Sequence, residues 1–134
     1  ILDRELKTVG KYKIYDNNRV IVFYDETLQS PVGSAEFIKT PIKSNNLDLE
    51  FVFNNLFEMG IMSVLVEAGG HLNGSVLKFA DKIYHFIAPK VLGDNSGLSC
   101  FDFRRVEDIN LCANFRIDSV QQYDPDILLT YYPN

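Results

Sequence analysis

Two apolar runs bracket the stretch Ser63–Gly93, SVLVEAGGHLNGSVLKFADKIYHFIAPKVLG, which constrains the chain more than any other. The first run, Val64-Leu65-Val66, ends in a carboxylate, Glu67. Three small residues follow, Ala68-Gly69-Gly70. An amphipathic segment, His71–Phe79, leads into the second apolar run, Lys82–Ala88. That order predicts strand, tight turn, helix, strand: a βαβ unit whose first turn can receive an anionic group.

The flanking sequence supplies the remaining elements. Ile1-Leu2-Asp3 reads as the tail of a strand already under way, an expectation that upstream sequence is missing. Glu5–Asn18 is polar, with Asp16-Asn17-Asn18 as a turn signal. Arg19–Tyr24 is β-branched and aromatic and too short for a helix, so it reads as a buried strand. Glu26–Ser34, with Pro31 and Gly33, reads as a loop, and Ala35–Thr40 as a short strand stopped by Pro41. A helix starts within Asn45-Asn46-Leu47-Asp48, capped by Asp48 or Asn46, with Glu50 at the positive end of its dipole. Leu49, Val52, Phe53, Leu56 and Phe57 recur at helical spacing, and Gly60 closes the helix.

Ser63–Glu67 is then expected as a strand. It lacks alternation, as a parallel strand covered on both faces would. Leu72, Val76, Leu77 and Phe79 form the inward side of the second helix. Val91–Val106 is a long irregular loop of the kind that carries function or moves. Phe115–Tyr123 and Asp126–Tyr132 flank Asp124-Pro125 as an antiparallel hairpin. The order β-β-α-β-α-β-β-β predicts one α/β domain over residues 1–134. Its sheet is mixed and mostly parallel, flanked by helices, and ends in the antiparallel hairpin.

Composition removes several classes of function. With 13 Lys and Arg against 18 Asp and Glu, the net charge is −5, which argues against a general nucleic-acid binder. No apolar run approaches the roughly 18 residues of a membrane span, and no secretion leader is visible. Cys100 and Cys112 have no metal-site spacing and read as free thiols in a reducing cytoplasm. With His71 and His85 the only histidines, a zinc site is not expected.

Each candidate residue carries a plain reading beside the functional one. Ala68-Gly69-Gly70 is either a phosphate-approaching turn or a tight βα connection, since the full G-x-G-x-x-G pattern is absent. Glu67 either accepts hydrogen bonds from substrate hydroxyls, or caps the next helix or meets Lys90. Lys39 and Lys90 read as solvated surface lysines, His71 as solvent-facing and His85 as a satisfied structural residue. The Asp102/Arg104/Arg105/Glu107/Asp108 cluster reads as a solvated face. Tyr123, Tyr131 and Tyr132 serve either the core or a subunit contact.

The pattern VEAGGHLNGS followed by DKIYHFIAPKVLG resembles the reductase domain of the bacterial bifunctional riboflavin biosynthesis protein RibD. The residues that carry the likeness are Val66, Glu67, Ala68, Gly69, Leu72, Asp81, Ala88, Pro89 and Gly93. The start of the first helix at Asn46-Leu47-Asp48-Leu49 is similar as well. Ala80 and Lys82 depart from the family's usual residues around Asp81, and Ala68 stands where glycine is commoner.

The resemblance implies a dihydrofolate-reductase-like fold. The implied activity is NADPH-dependent reduction of 5-amino-6-(5-phosphoribosylamino)uracil, with hydride delivered to the first carbon of the ring-opened ribose. It implies that Glu67 binds the substrate's sugar hydroxyls. It also implies that Ala68, Gly69, Gly70, His71 and Leu72 meet the phosphates of NADPH. No metal and no covalent nucleophile are implied, and no catalytic residue is named. The C-terminal strands are expected to build a homodimer in the cytoplasm, with no nucleic acid or membrane as partner. The chain is expected to be an N-terminally truncated reductase domain that binds NADPH poorly by itself. Two alternatives stand beside it: another dihydrofolate-reductase-like reductase, and a non-catalytic dimerisation module.

Overall fold

The computed structural model describes residues 1–16, 18–94, 96–102 and 107–134. The chain forms two compact units, residues 1–64 and 65–134.

In the first unit, β1 (Ile21–Asp25) pairs in parallel with β2 (Glu36–Thr40), Ile21 lying opposite Glu36. On its other edge Leu2 bridges Phe23, and Asp3 N–H donates to Phe23 O at 3.0 Å. Flanked on both edges, β1 buries Val22, Phe23 and Tyr24, as its apolar sequence predicts. Ile1-Leu2-Asp3, expected as the tail of a strand, makes an isolated parallel bridge at Leu2 rather than a strand of its own.

A small antiparallel ladder follows, β3 (Ile42–Lys43) with β4 (Asn46–Leu47). Ser44 and Asn45 both have positive φ, 50° and 63°, the signature of a two-residue type I′ turn. The expected helix start thus divides: Asn45 sits in the turn, Asn46 in β4, and Asp48 alone caps α1 (Leu49–Glu58). Its carboxylate accepts from the amides of Glu50 and Phe51. Gly60, at φ 79°, closes the helix as expected. Val52 of α1 packs with Phe23 and Leu47, with Leu2, Ile21, Ile38 and Leu56 around them. Phe57, expected on the inward stripe, is exposed.

The second unit contains α2 (Gly70–Val76), which tightens into a 3-10 turn at Leu77–Phe79. It also holds an antiparallel sheet in the order β5-β7-β6. β5 is Ile83–Ile87, β6 Phe115–Tyr123 and β7 Asp126–Pro133. The hairpin falls where the sequence places it. A register shift between Ile117 and Ser119 makes a bulge in β6.

The mixed α/β class holds, but the expected strand Ser63–Glu67 does not form: residues 61–69 carry no strand or helix. A strand exists through its ladder, and Val64-Leu65-Val66 has no paired neighbour among the described residues. The mostly parallel character depended on that strand. Among the described ladders β1·β2 is parallel, and β3·β4, β5·β7 and β6·β7 are antiparallel. Of the long loop expected at Val91–Val106, residues 95 and 103–106 lie outside the described residues, as does Asn17 of the first turn signal.

Candidate functional site

Glu67 lies three residues before α2, in exposed irregular chain rather than at a strand end, and no hydrogen bond is formed by its carboxylate among the described residues. Gly69 is the N-cap residue of α2 with φ −77° and ψ 169°, and no side chain caps the helix. The first intrahelical bond runs from Asn73 N–H to Gly69 O at 3.0 Å. The amides of Gly70, His71 and Leu72 therefore precede the helical ladder, as the first amides of any helix do.

The two glycines of the turn, alike in sequence, differ in surroundings. A Cβ on Gly69 would meet nothing within 4 Å, whereas one on Gly70 would collide with the carbonyl oxygen of Ser99. Gly70 is a glycine because another backbone crosses it. Segment 99–102 is that backbone. Asp102 N–H donates to Gly70 O at 2.9 Å. The side-chain amide of Asn73 donates to Ala68 O at 3.1 Å and to Cys100 O at 3.2 Å. His71 Nδ1 lies 3.3 Å from Asp102 Oδ2. The Ser99 hydroxyl accepts from Phe101 N–H and donates to Phe101 O, folding the segment on itself.

The far end of this segment rests on the sheet. The ring of Phe101 stands edge-on to His85 at 6.2 Å, and His85 Nδ1 lies 3.3 Å from the Tyr131 hydroxyl. His85 is thus the satisfied residue the sequence suggests. Asp102, read as part of a solvated face, is exposed as expected and lies beside the exposed His71, while Arg104 and Arg105 lie outside the described residues. Lys39 and Lys90 are exposed. Cys100 and Cys112 are free thiols. Among the described residues no group of His, Cys, Asp and Glu could hold a metal ion. No helix among them is long and apolar enough to cross a membrane.

The candidate site is therefore a turn, 67–72, whose backbone direction is held by side chains and amides from 73 and 99–102. Ala68, Gly69, Gly70, His71 and Leu72 are brought together by chain continuity, and Glu67 stands at their edge. Sequence reasoning missed Asn73, Ser99 and Asp102. The available signal was the second glycine of the pair, which implies a close approach without naming its partner.

A sequence model described as the RibD C-terminal domain matches residues 1–129. The chain belongs to the RibD C-terminal domain family. Among curated relatives, the riboflavin biosynthesis protein RibD of Haemophilus influenzae is 27% identical over 137 residues. That alignment covers 99% of this chain and 36% of the relative. RibD of Bacillus amyloliquefaciens is 28% identical over 94 residues, covering 69% of this chain and 25% of the relative. The chain thus spans about a third or less of these RibD proteins.

Among solved structures, one from Thermotoga maritima is described as a diaminohydroxyphosphoribosylaminopyrimidine deaminase/5-amino-6-(5-phosphoribosylamino)uracil reductase. It matches with TM-score 0.75 and 28% identity over 100% of this chain and 37% of its own. RibD of Acinetobacter baumannii matches with TM-score 0.81 and 25% identity, again over the whole chain and 37% of its own. The riboflavin biosynthesis reductase of Saccharomyces cerevisiae shares the fold, with TM-score 0.77 at 18% identity over 100% of this chain and 68% of its own. With these structures as its neighbours, the chain has the dihydrofolate-reductase-like fold that the sequence suggests.

Proposed function

We propose that this chain supplies the reductase part of a riboflavin-biosynthesis enzyme, reducing 5-amino-6-(5-phosphoribosylamino)uracil with NADPH. The observation that carries the reading is the family match over residues 1–129, supported by the activity named for the Thermotoga relative. In this reading the nicotinamide cofactor supplies the hydride. The turn 68–72 holds its phosphates through backbone amides, and Glu67 accepts hydrogen bonds from the sugar hydroxyls of the substrate.

The residues fit that task. The space beside Gly69 is open. The early amides of α2 are free of the helical ladder, and amides of this kind favour an anion. Glu67 is solvated and so ready to accept from hydroxyl donors. The turn's contribution is to fix the cofactor so that little orientation is left to chance at the moment of transfer. The cytoplasm is the proposed location, in keeping with two free thiols.

A homodimer through the C-terminal strands belongs to the same proposal. On one face of the sheet Ile117 and Val120 of β6, Ile127 of β7 and Ile87 of β5 are all exposed. An apolar row of this kind suits a subunit contact. Sedimentation velocity reads it directly, and a monomer at working concentration would sink it.

The test of function is turnover by the full-length protein, followed as NADPH oxidation with the pyrimidine substrate, beside a Gly69→Asp variant. Aspartate fits the φ of Gly69, meets open space and is a good N-cap, so α2 is kept. The new charge beside the cofactor phosphates should weaken NADPH binding by about tenfold or more. No oxidation by the wild-type protein rejects the enzyme reading. Normal binding by Gly69→Asp rejects the placement at the turn.

A further inference from the structure

Asn73 reaches three carbonyls at once. Its backbone N–H closes the first turn of α2 on Gly69 O, and its side-chain nitrogen donates to Ala68 O and Cys100 O. Two carbonyl acceptors can be met only by the nitrogen end of the amide, so the side chain has one orientation. In a trans peptide the N–H points opposite to the C=O of the same plane. Holding Ala68 C=O therefore aims the Gly69 N–H to the other side. The Asp102 N–H does the same two planes further on: it holds Gly70 C=O and so aims the His71 N–H. Asn73 also tethers Cys100, two residues before Asp102 in the segment, so both planes depend on one side chain.

Resting on the reading of Ala68–Leu72 as the cofactor turn, we infer that Asn73 is a positioning residue for the Gly69 and His71 amides that would meet a dinucleotide diphosphate. It acts by locking the Ala68 carbonyl and segment 99–102 together. The residue touches no substrate or cofactor atom itself. Its effect is on how well the turn is formed before the anion arrives.

Neutral substitutions test this without adding charge near the phosphates. In the full-length protein, Asn73→Ala should raise the KM for NADPH about tenfold while kcat changes by less than about threefold. Without cofactor, the Asp102 amide should exchange with solvent faster in the same variant. Asn73→Gln, which keeps the donating amide, should restore part of both. If Asn73→Ala does not fold, Asn73→Ser, with one donor left, is read by the same two measurements. Faster Asp102 exchange with an unchanged KM would overturn the proposal, leaving Asn73 as a loop fastener only. Unchanged exchange and unchanged KM would overturn it too. A wild-type protein that binds no NADPH rejects the reading of the turn, and this proposal with it. Binding by the wild type with Asn73→Ala indifferent rejects this proposal alone.

Discussion

The two units bury different things. In residues 1–64, Val20, Val22, Phe23, Tyr24, Leu47 and Val52 are buried hydrophobic side chains, and Asp3 and Thr40 are buried polar ones. In residues 65–134, Leu128 is the buried hydrophobic side chain among the described residues and Thr130 the buried polar one, while Phe86, Val91, Leu92 and Leu98 are well exposed. Yet the second unit holds most of the stretch Ser63–Gly93, whose motif carries the family resemblance. It is organised by a three-stranded backbone ladder and by polar contacts between the turn at 67–72 and segment 99–102. A distinctive sequence and a well-buried core are separate properties. The first unit has more of the second and the second more of the first.

The sharpest test removes the same side chain from each. Phe23 is 2% exposed and clusters with Leu47 and Val52, so Phe23→Ala should cost the first unit about 3–5 kcal/mol. Phe86 is 62% exposed, so Phe86→Ala should change stability by about 0.5 kcal/mol or less. Residue-resolved hydrogen exchange separates the two units in one experiment. Comparable losses in both would erase the contrast.

The next test is internal to the second unit and uses its paired glycines. Gly70→Ala drives a methyl group into the Ser99 carbonyl and should cost about 1–3 kcal/mol, because backbone must move. Gly69→Ala meets open space at an ordinary φ. The lost cap preference and the reduced freedom of the unfolded chain nearly offset, so a change within about 1 kcal/mol is expected. Chemical denaturation of both variants checks the pair. Equal costs would mean that segment 99–102 yields easily, and the polar fastening would matter less than proposed.

That pair also shows what was legible in the sequence. Elements signalled locally came through: Asp48 as a cap, Gly60 as a stop, Phe115–Tyr123 and Asp126–Tyr132 as a hairpin. The type I′ turn at Ser44-Asn45 was hidden, because Asn45 and the residues after it also read as the start of a helix. Val64-Leu65-Val66 looked like a strand because apolar β-branched composition is local, whereas the ladder that makes a strand is not. The contacts of Asn73 with Cys100 and of His71 with Asp102 span 27 and 31 residues, so no local pattern could announce them. The family likeness pointed to the turn but not to what holds it.

The smallest effect contrasts two carboxylates that are bound alike and buried differently. Asp3 accepts from Lys7 N–H, Thr8 N–H and the Thr8 hydroxyl. Burial works to raise its pKa, but these bonds, led by the Thr8 hydroxyl, together outweigh it and the pKa is lowered. Asp94 accepts from the amide and hydroxyl of Ser96, and its pKa is lowered by those two bonds in that order, yet it is exposed. A lowered carboxylate pKa means that the unfolded chain binds more protons than the folded one. Stability is then complete above the unfolded value of about 3.9 and is lost as pH falls through the folded value. Thr8→Val removes the hydroxyl donor and brings the Asp3 pKa back toward the ordinary range, so acid unfolding of the first unit should begin at a slightly higher pH. Ser96→Ala removes the matching donor from Asp94, but solvent replaces it, and the acid limb of the second unit should stay where it is. An acid titration followed by residue-resolved exchange reads both limbs. A shift in the second unit equal to that in the first would show that the bonds matter without the burial, and the contrast between the units would then lie in their apolar cores alone.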